Sequence, residues 1–153
     1  MRLIFRRFIR RVRVRVCGIV IREGRLLLIA HRKGGDVYWL LPGGGVRYGE
    51  TLLQALAREF REELGAEITA FRFAFLCDSI EPRGKRHILN IAFWCDLGSS
   101  ELRLGKERRL YDYSFFDRDE VARARIYPPL NQTLVSIMAQ SKIEGYLGGV
   151  WQE

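Results

Sequence analysis

The sequence predicts an α/β layered domain with a mixed sheet. Several stretches carry the two-residue period of strands, one strong helical stretch lies mid-chain, and a second helix closes the pattern. With 153 residues, 48% of them apolar, the chain has the size of one ordinary domain and enough apolar material for a core. Residues 1–153 are therefore read as one unit.

The elements follow in order. Arg11 to Val16 alternates strictly between arginine and valine, the period of a strand with valines inward and arginines outward. Gly18 to Arg22 continues it, Glu23-Gly24 reads as a turn, and Arg25 to His31 as the return strand. Residues 32–36 read as a polar loop and Tyr38 to Leu41 as a short strand, after which Pro42-Gly43-Gly44-Gly45 breaks regular structure. Thr51 to Leu64 is rich in Leu, Ala, Glu and Arg and predicts a helix that Gly65 stops. Leu53, Leu56, Phe60 and Leu64 form its apolar stripe. Residues 67–78 and 86–97 predict two strands around the loop Ser79 to Lys85, and Tyr111 to Phe116 predicts another. Asp117 caps a helical turn over 118–122, and Pro128-Pro129 lead into a last helix over about 130–143. Its apolar face is Leu130, Leu134, Ile137 and Met138; Gly145, Gly148 and Gly149 mark a loose tail.

Composition excludes some classes. No apolar run reaches membrane-spanning length, and Arg6, Arg7, Arg10 and Arg11 interrupt any secretory signal. Cys17, Cys77 and Cys95 are odd in number, lack CxxC spacing and sit in apolar contexts, as buried free thiols do. These features point to the cytoplasm. The formal charge of +8 suits an anionic partner, whether a small phosphate compound or nucleic acid.

The chemistry concentrates between Gly44 and Ala66. At about 100° per residue, Glu59, Glu62 and Glu63 project from one face of the helix. An ordinary solvated helix would interleave lysine four residues on, whereas Glu59 is followed by Glu63. A hard cation bound through oxygen ligands relieves that repulsion. Taken alone, three glutamates read as a plain acidic face beside Arg58 and Arg61. The glycine run directly ahead shifts the reading, since glycines let backbone approach a ligand closely and amides near a helix start receive anions.

The whole stretch resembles the Nudix box, written G-x5-E-x7-R-E-U-x-E-E-x-G-U with U a bulky apolar residue. Gly44, Glu50, Arg58, Glu59, Glu62, Glu63 and Gly65 fill every fixed position and Phe60 the first U; Ala66 is smaller than the usual last residue. Trp39 to Gly44 also resembles the usual approach to the box. The resemblance implies a Nudix-type α/β/α sandwich with the box as loop–helix–loop. It implies that Glu59, Glu62 and Glu63 bind Mg²⁺ or Mn²⁺, with Glu50 and Arg58 orienting them. The implied reaction is attack of metal-activated water on a diphosphate, in which positioning and charge neutralisation matter more than a protein nucleophile.

Other residues have two readings each. Glu107 is a candidate base on a later loop, or a solvated glutamate. Gly43, Gly44 and Gly45 line the approach to substrate; Tyr38 and Trp39 stack on a base or pack in the core. Pro82, 16 positions after Ala66, matches a proline often found in family members acting on ADP-ribose; Glu81-Pro82-Arg83-Gly84 is equally a good turn. His87 begins an apolar strand and reads as structural.

The favoured reading is hydrolysis of a nucleoside diphosphate linked to another group, with a lean to ADP-ribose or a nucleotide sugar. The rivals are a nucleoside triphosphate pyrophosphohydrolase of the pool-cleaning kind and a non-catalytic nucleotide- or RNA-binding regulator; a third is an RNA 5′-end hydrolase. The expected partner is thus a small nucleotide, with no membrane. RNA would reach the protein through a face formed by Arg11, Arg13 and Arg15. A solvated strand or a homodimer contact ranks above RNA there, because no aromatic residue interleaves the arginines.

Overall fold

A computed structural model describes residues 10–140 and 143–151. Its elements are β1 (Arg13–Ile19), β2 (Ile21–Arg22), β3 (Arg25–Lys33), β4 (Asp36–Leu40), β5 (Gly43–Gly45), α1 (Leu52–Leu64), β6 (Ala70–Ile80), β7 (His87–Asp96), β8 (Leu110–Phe116), α2 (Arg118–Arg123), α3 (Asn131–Met138) and β9 (Gly145–Gly149). Among the described residues no helix is long and apolar enough to cross a membrane.

Strand period divides the continuous apolar run of β3 between two cores. Leu26 and Leu28 pack with Cys17, Ile19, Val121, Leu130 and Leu134 on the side of α2 and α3. Leu27 and Ile29 point the other way and pack with Val16, Val20, Leu56, Phe60 and Leu64 on the side of α1. A strand covered on both faces needs no polar residues, which is why this run reads as unbroken hydrophobicity. The helices therefore flank the strands on both sides, in the expected α/β/α arrangement.

One sheet has the order β5-β1-β7-β6-β9 and is mixed: β1 runs parallel to β7, and β6 antiparallel to it. The second is built around β3, which pairs with β2, β4 and β8. Four expectations about the elements require correction. Gly43–Gly45 is not an interruption but an edge strand, antiparallel to β1 with Val16 opposite Gly44. The glycine-rich tail is strand β9, parallel to β6; Leu147 and Val150 pack on the α2–α3 core and Val150 N–H donates to the Asp78 carbonyl at 2.7 Å. Apolar anchors thus order a segment whose glycines read as loose. The last helix ends at Met138, five residues early, with Gln140 already at positive φ. The loop expected at 32–36 is a two-residue turn, because β3 reaches Lys33 and β4 begins at Asp36.

Helix α1 starts at a capping box, with the Thr51 side chain accepting from Gln54 N–H and the Gln54 side chain accepting from Thr51 N–H. It ends at Gly65 in the left-handed region, as expected. Its inner face is Ala55, Leu56, Phe60, Glu63 and Leu64. Leu53 falls at the edge of this stripe and stays 40% exposed, contrary to expectation. Phe60 is wholly buried and fills the space above Gly18 of β1, where any side chain would collide with its ring. Replacing Phe60 by alanine is expected to lower the unfolding free energy by about 3–5 kcal/mol through lost transfer energy and cavity formation. Urea denaturation followed by circular dichroism measures this; a loss below about 1 kcal/mol would show that Phe60 is not the link between helix and sheet.

Candidate active site

The glycine run brings the α1 carboxylates against the sheet. A Cβ on Gly44 would occupy the space of the Glu59 carboxylate, and one on Gly43 would collide with the Val16 carbonyl. With no Cβ at either position, Gly43 N–H donates to Glu63 Oε2 at 2.8 Å. Glu63 is 2% exposed, since the inner face of α1 carries it into the protein. Burial pushes its pKa up to about 8, against the opposing pull of Arg15 and the Gly43 amide.

Arg58 ties the cluster together. Its Nε and Nη2 donate to the two oxygens of Glu50 at 2.6 and 3.0 Å, Nη1 to Glu59 Oε1 at 2.6 Å, and Nη2 to the Gly45 carbonyl at 3.0 Å. This bidentate fork holds the Glu50 carboxyl down at about 2 and raises the already high pKa of Arg58. The box thus fixes its own loop to its own helix.

The three glutamates do not share one environment. Glu59 and Glu63 line a cavity of about 220 Å³, together with Gly43, Gly44 and Gly45. Glu62 lies half-exposed at the rim, 3.3 Å from Arg58 and 3.5 Å from Arg47. Glu107 is exposed but lines the same cavity, and its charge contributes to the raised pKa of Glu63.

Among the described residues no three His, Cys, Asp or Glu side chains converge as a closed metal site. The donors nevertheless fit a hard divalent cation. Glu59, Glu63 and Glu107 bring carboxylate oxygens to one cavity, and the buried Glu63 has a hydrogen bond to only one of its oxygens.

Several cavity residues were not assigned to the site by the sequence, which read Arg13 and Arg15 as part of an outward face. Arg13 and Arg15 both line it, Arg13 while staying exposed and Arg15 half-buried, and Arg15 donates to the Leu41 and Gly43 carbonyls at 2.8 and 3.2 Å. The signal was available in the parity of β1. Arg13 and Arg15 share their face with Cys17 and Ile19, both buried, so that face leads into the interior. Arg86, Arg109, His31 and Tyr127 complete the basic and aromatic wall. His31 is held neutral, its pKa lowered to about 4 by burial and by the charges of Arg15 and Arg109. The His31 Nε2 and Tyr127 hydroxyl are buried without a hydrogen-bond partner among the described residues.

Tyr38 lines the cavity, whereas Trp39 does not. The Trp39 ring packs edge-on against Phe116, 4.6 Å between centroids, in the α2–α3 core. Its backbone has the positioning role: Trp39 N–H donates to the Arg125 carbonyl and its carbonyl accepts from Tyr127 N–H, both at 2.8 Å. Pro82 sits in the turn between β6 and β7 and is not among the cavity residues. His87 pairs with Asp78 at 2.6 Å, and Tyr146 donates to the other Asp78 oxygen at 2.7 Å, joining β6, β7 and β9. The cysteines are free; Cys17 and Cys77 are buried and Cys95 is half-buried.

A family model described as the NUDIX domain matches residues 10–136, and the chain belongs to the Nudix hydrolase family. It is similar to an ADP-ribose pyrophosphatase of Methanocaldococcus jannaschii, 30% identical over 113 residues, which is 72% of this chain and 64% of that protein. It is also similar to the nucleoside triphosphatase NudI of Escherichia coli, 29% identical over 139 residues, covering 81% of this chain and 95% of that protein. A NUDIX hydrolase structure from Nitrosomonas europaea shares the fold with a TM-score of 0.76 at 18% identity, over 88% of this chain and 93% of that one. Nudix hydrolases generally use divalent metal cations.

Proposed function

We propose that this chain hydrolyses a phosphoanhydride bond in a nucleoside diphosphate linked to a second group, with ADP-ribose or a nucleotide sugar as the preferred class. The observation that carries the reading is one cavity in which Glu59, Glu63 and Glu107 face Arg13, Arg15, Arg86 and Arg109. Carboxylates there suit a cation, and guanidiniums there suit phosphate oxygens.

Glu59, Glu62 and Glu63 would hold Mg²⁺ or Mn²⁺. When bound, such an ion neutralises phosphate charge and lowers the pKa of water. The protein's own part is positional. Arg58 and Glu50 keep the loop and helix in register, the Gly43 amide orients Glu63, and the cavity arginines bind and align the diphosphate. Glu107, exposed on the cavity wall, would take a proton from attacking water. No buried cysteine or histidine is needed as a nucleophile.

The similarity to a nucleoside triphosphatase favours a second reading, removal of pyrophosphate from a nucleoside triphosphate. Products separate the two. Purified protein with Mg²⁺ is expected to convert ADP-ribose to AMP and ribose 5-phosphate, and to lose this activity in EDTA. Release of pyrophosphate from triphosphates, with ADP-ribose untouched, would replace the first reading by the second.

A further inference from the structure

Strand β3 sends Leu27, Ile29 and His31 toward α1, since alternate residues of a strand share a side. Leu27 and Ile29 pack with Phe60 and Leu64, and His31, the third in that row, meets Glu63. An apolar side chain would satisfy the pattern there. The imidazole instead carries in a polar atom, Nε2, that is buried without a hydrogen-bond partner among the described residues. Such an atom costs free energy until a partner comes to it.

The acceptor beside it is Glu63 Oε1. It stands 4.0 Å from His31 Nε2, about 1 Å beyond hydrogen-bond length. The other oxygen of that carboxyl, Oε2, is already engaged by the Gly43 amide at 2.8 Å. The ring is held from its far side. It meets Tyr38, its partner across β3 and β4, edge to face with 6.0 Å between centroids. The pairing of β3 with β8 also shifts register between Ala30 and His31. Irregularities of this kind re-aim a side chain and recur beside active sites.

We propose that His31 is a positioning residue for the cation site, its Nε2 closing onto Glu63 Oε1 and donating to it when a divalent cation occupies the cavity. The Glu63 carboxylate is then fixed between the imidazole and the Gly43 amide. The proposal rests on the reading of Glu63 as a cation ligand and deepens it. A carboxylate oxygen has lone pairs enough for one donor and one cation. A hydrogen bond that orients a ligating carboxylate strengthens the site, and its loss is felt as metal affinity.

Calorimetric titration of the full chain with Mg²⁺ alone tests this without turnover. His31→Leu is expected to weaken Mg²⁺ binding by about 10- to 100-fold. It should lower kcat and leave KM little changed, because the cavity arginines that hold phosphate are retained. His31→Gln places an amide nitrogen about where Nε2 stands and should recover most of the loss. His31→Asn, whose amide ends one bond short, should not. A purely structural role predicts the opposite order, with leucine the best replacement in an apolar row. Without metal, His31→Leu should unfold at no lower a temperature than the wild type, since it removes an unpaired buried nitrogen. Mg²⁺ affinity unchanged in His31→Leu but lost in Glu63→Gln would overturn the role of His31 alone, as would equal losses in the leucine and glutamine variants. Affinity unchanged in both His31→Leu and Glu63→Gln would overturn Glu63 as a cation ligand, and the proposal with it.

Discussion

Replacing Glu63 by glutamine is expected to lower kcat by about three orders of magnitude while the fold survives. The amide oxygen can still accept from Gly43 N–H, so the loop–helix contact at 2.8 Å is kept. What disappears is a carboxyl group on the cavity wall that a bound cation would hold ionised, since burial alone raises its pKa to about 8. Metal-assisted charge stabilisation is worth several kcal/mol, and each 1.36 kcal/mol is tenfold in rate, which sets the expected size. Glu62→Gln should also lower kcat, since Glu62 is proposed to hold the same cation, but by less than Glu63→Gln, because Glu62 is half-exposed and shares Arg58 with Glu50 and Glu59. A thermal-shift titration supplies an independent reading. A cation that binds only the folded state stabilises it by about 2.7 kcal/mol at a hundred times its dissociation constant. Mg²⁺ should therefore raise the midpoint of the wild type and leave Glu63→Gln nearly unmoved. Retention of kcat within tenfold in this variant would remove Glu63 from the metal-binding set.

The sequence made the helix of the site legible because its information is local. Glu59, Glu62, Glu63, Phe60 and Gly65 all obey the period and caps of one element, and Gly44 precedes that element at fixed spacing. The strands of β3 and β8 were legible for the same reason. What escaped depends on which elements meet. The arginines of β1 read as solvent-facing because Val14 and Val16 satisfied the alternation. Only the pairing of β1 with β5 and β7 brings Arg13 and Arg15 over the carboxylates. Tyr127 carries no motif; the Trp39 backbone holds it beside the cavity. Trp39 itself, adjacent to Tyr38, faces the opposite way because successive strand side chains alternate. Tail strand β9 was hidden by its glycines, since pairing with β6 is a long-range contact that no local propensity records.

Gly105 shows the same dependence on packing and leads to the second large expected effect. It lies in the segment between β7 and β8, where the sequence offers only a polar stretch. The segment is fastened to the end of α1 by two backbone bonds, Arg103 N–H to the Leu64 carbonyl and Gly105 N–H to the Glu63 carbonyl, both at 2.8 Å. A Cβ on Gly105 would run into the carbonyl of Glu62, a backbone atom that cannot swing away. Alanine there must push the segment off the helix, and Glu107 and Arg109 move with it out of the cavity they line. A displacement of about 1 Å in a positioning group can cost on the order of 100-fold in rate. Gly105→Ala is therefore expected to reduce kcat by about that factor and raise KM through the lost Arg109 contact. The far-ultraviolet circular dichroism spectrum should change little, because the collision is confined to the contact between this segment and α1. Steady-state kinetics and circular dichroism on one preparation read both effects. Unchanged kcat in Gly105→Ala would mean that Glu107 and Arg109 take no part in turnover. A matching loss of the dichroism signal would mean instead that the substitution disturbs the fold as a whole.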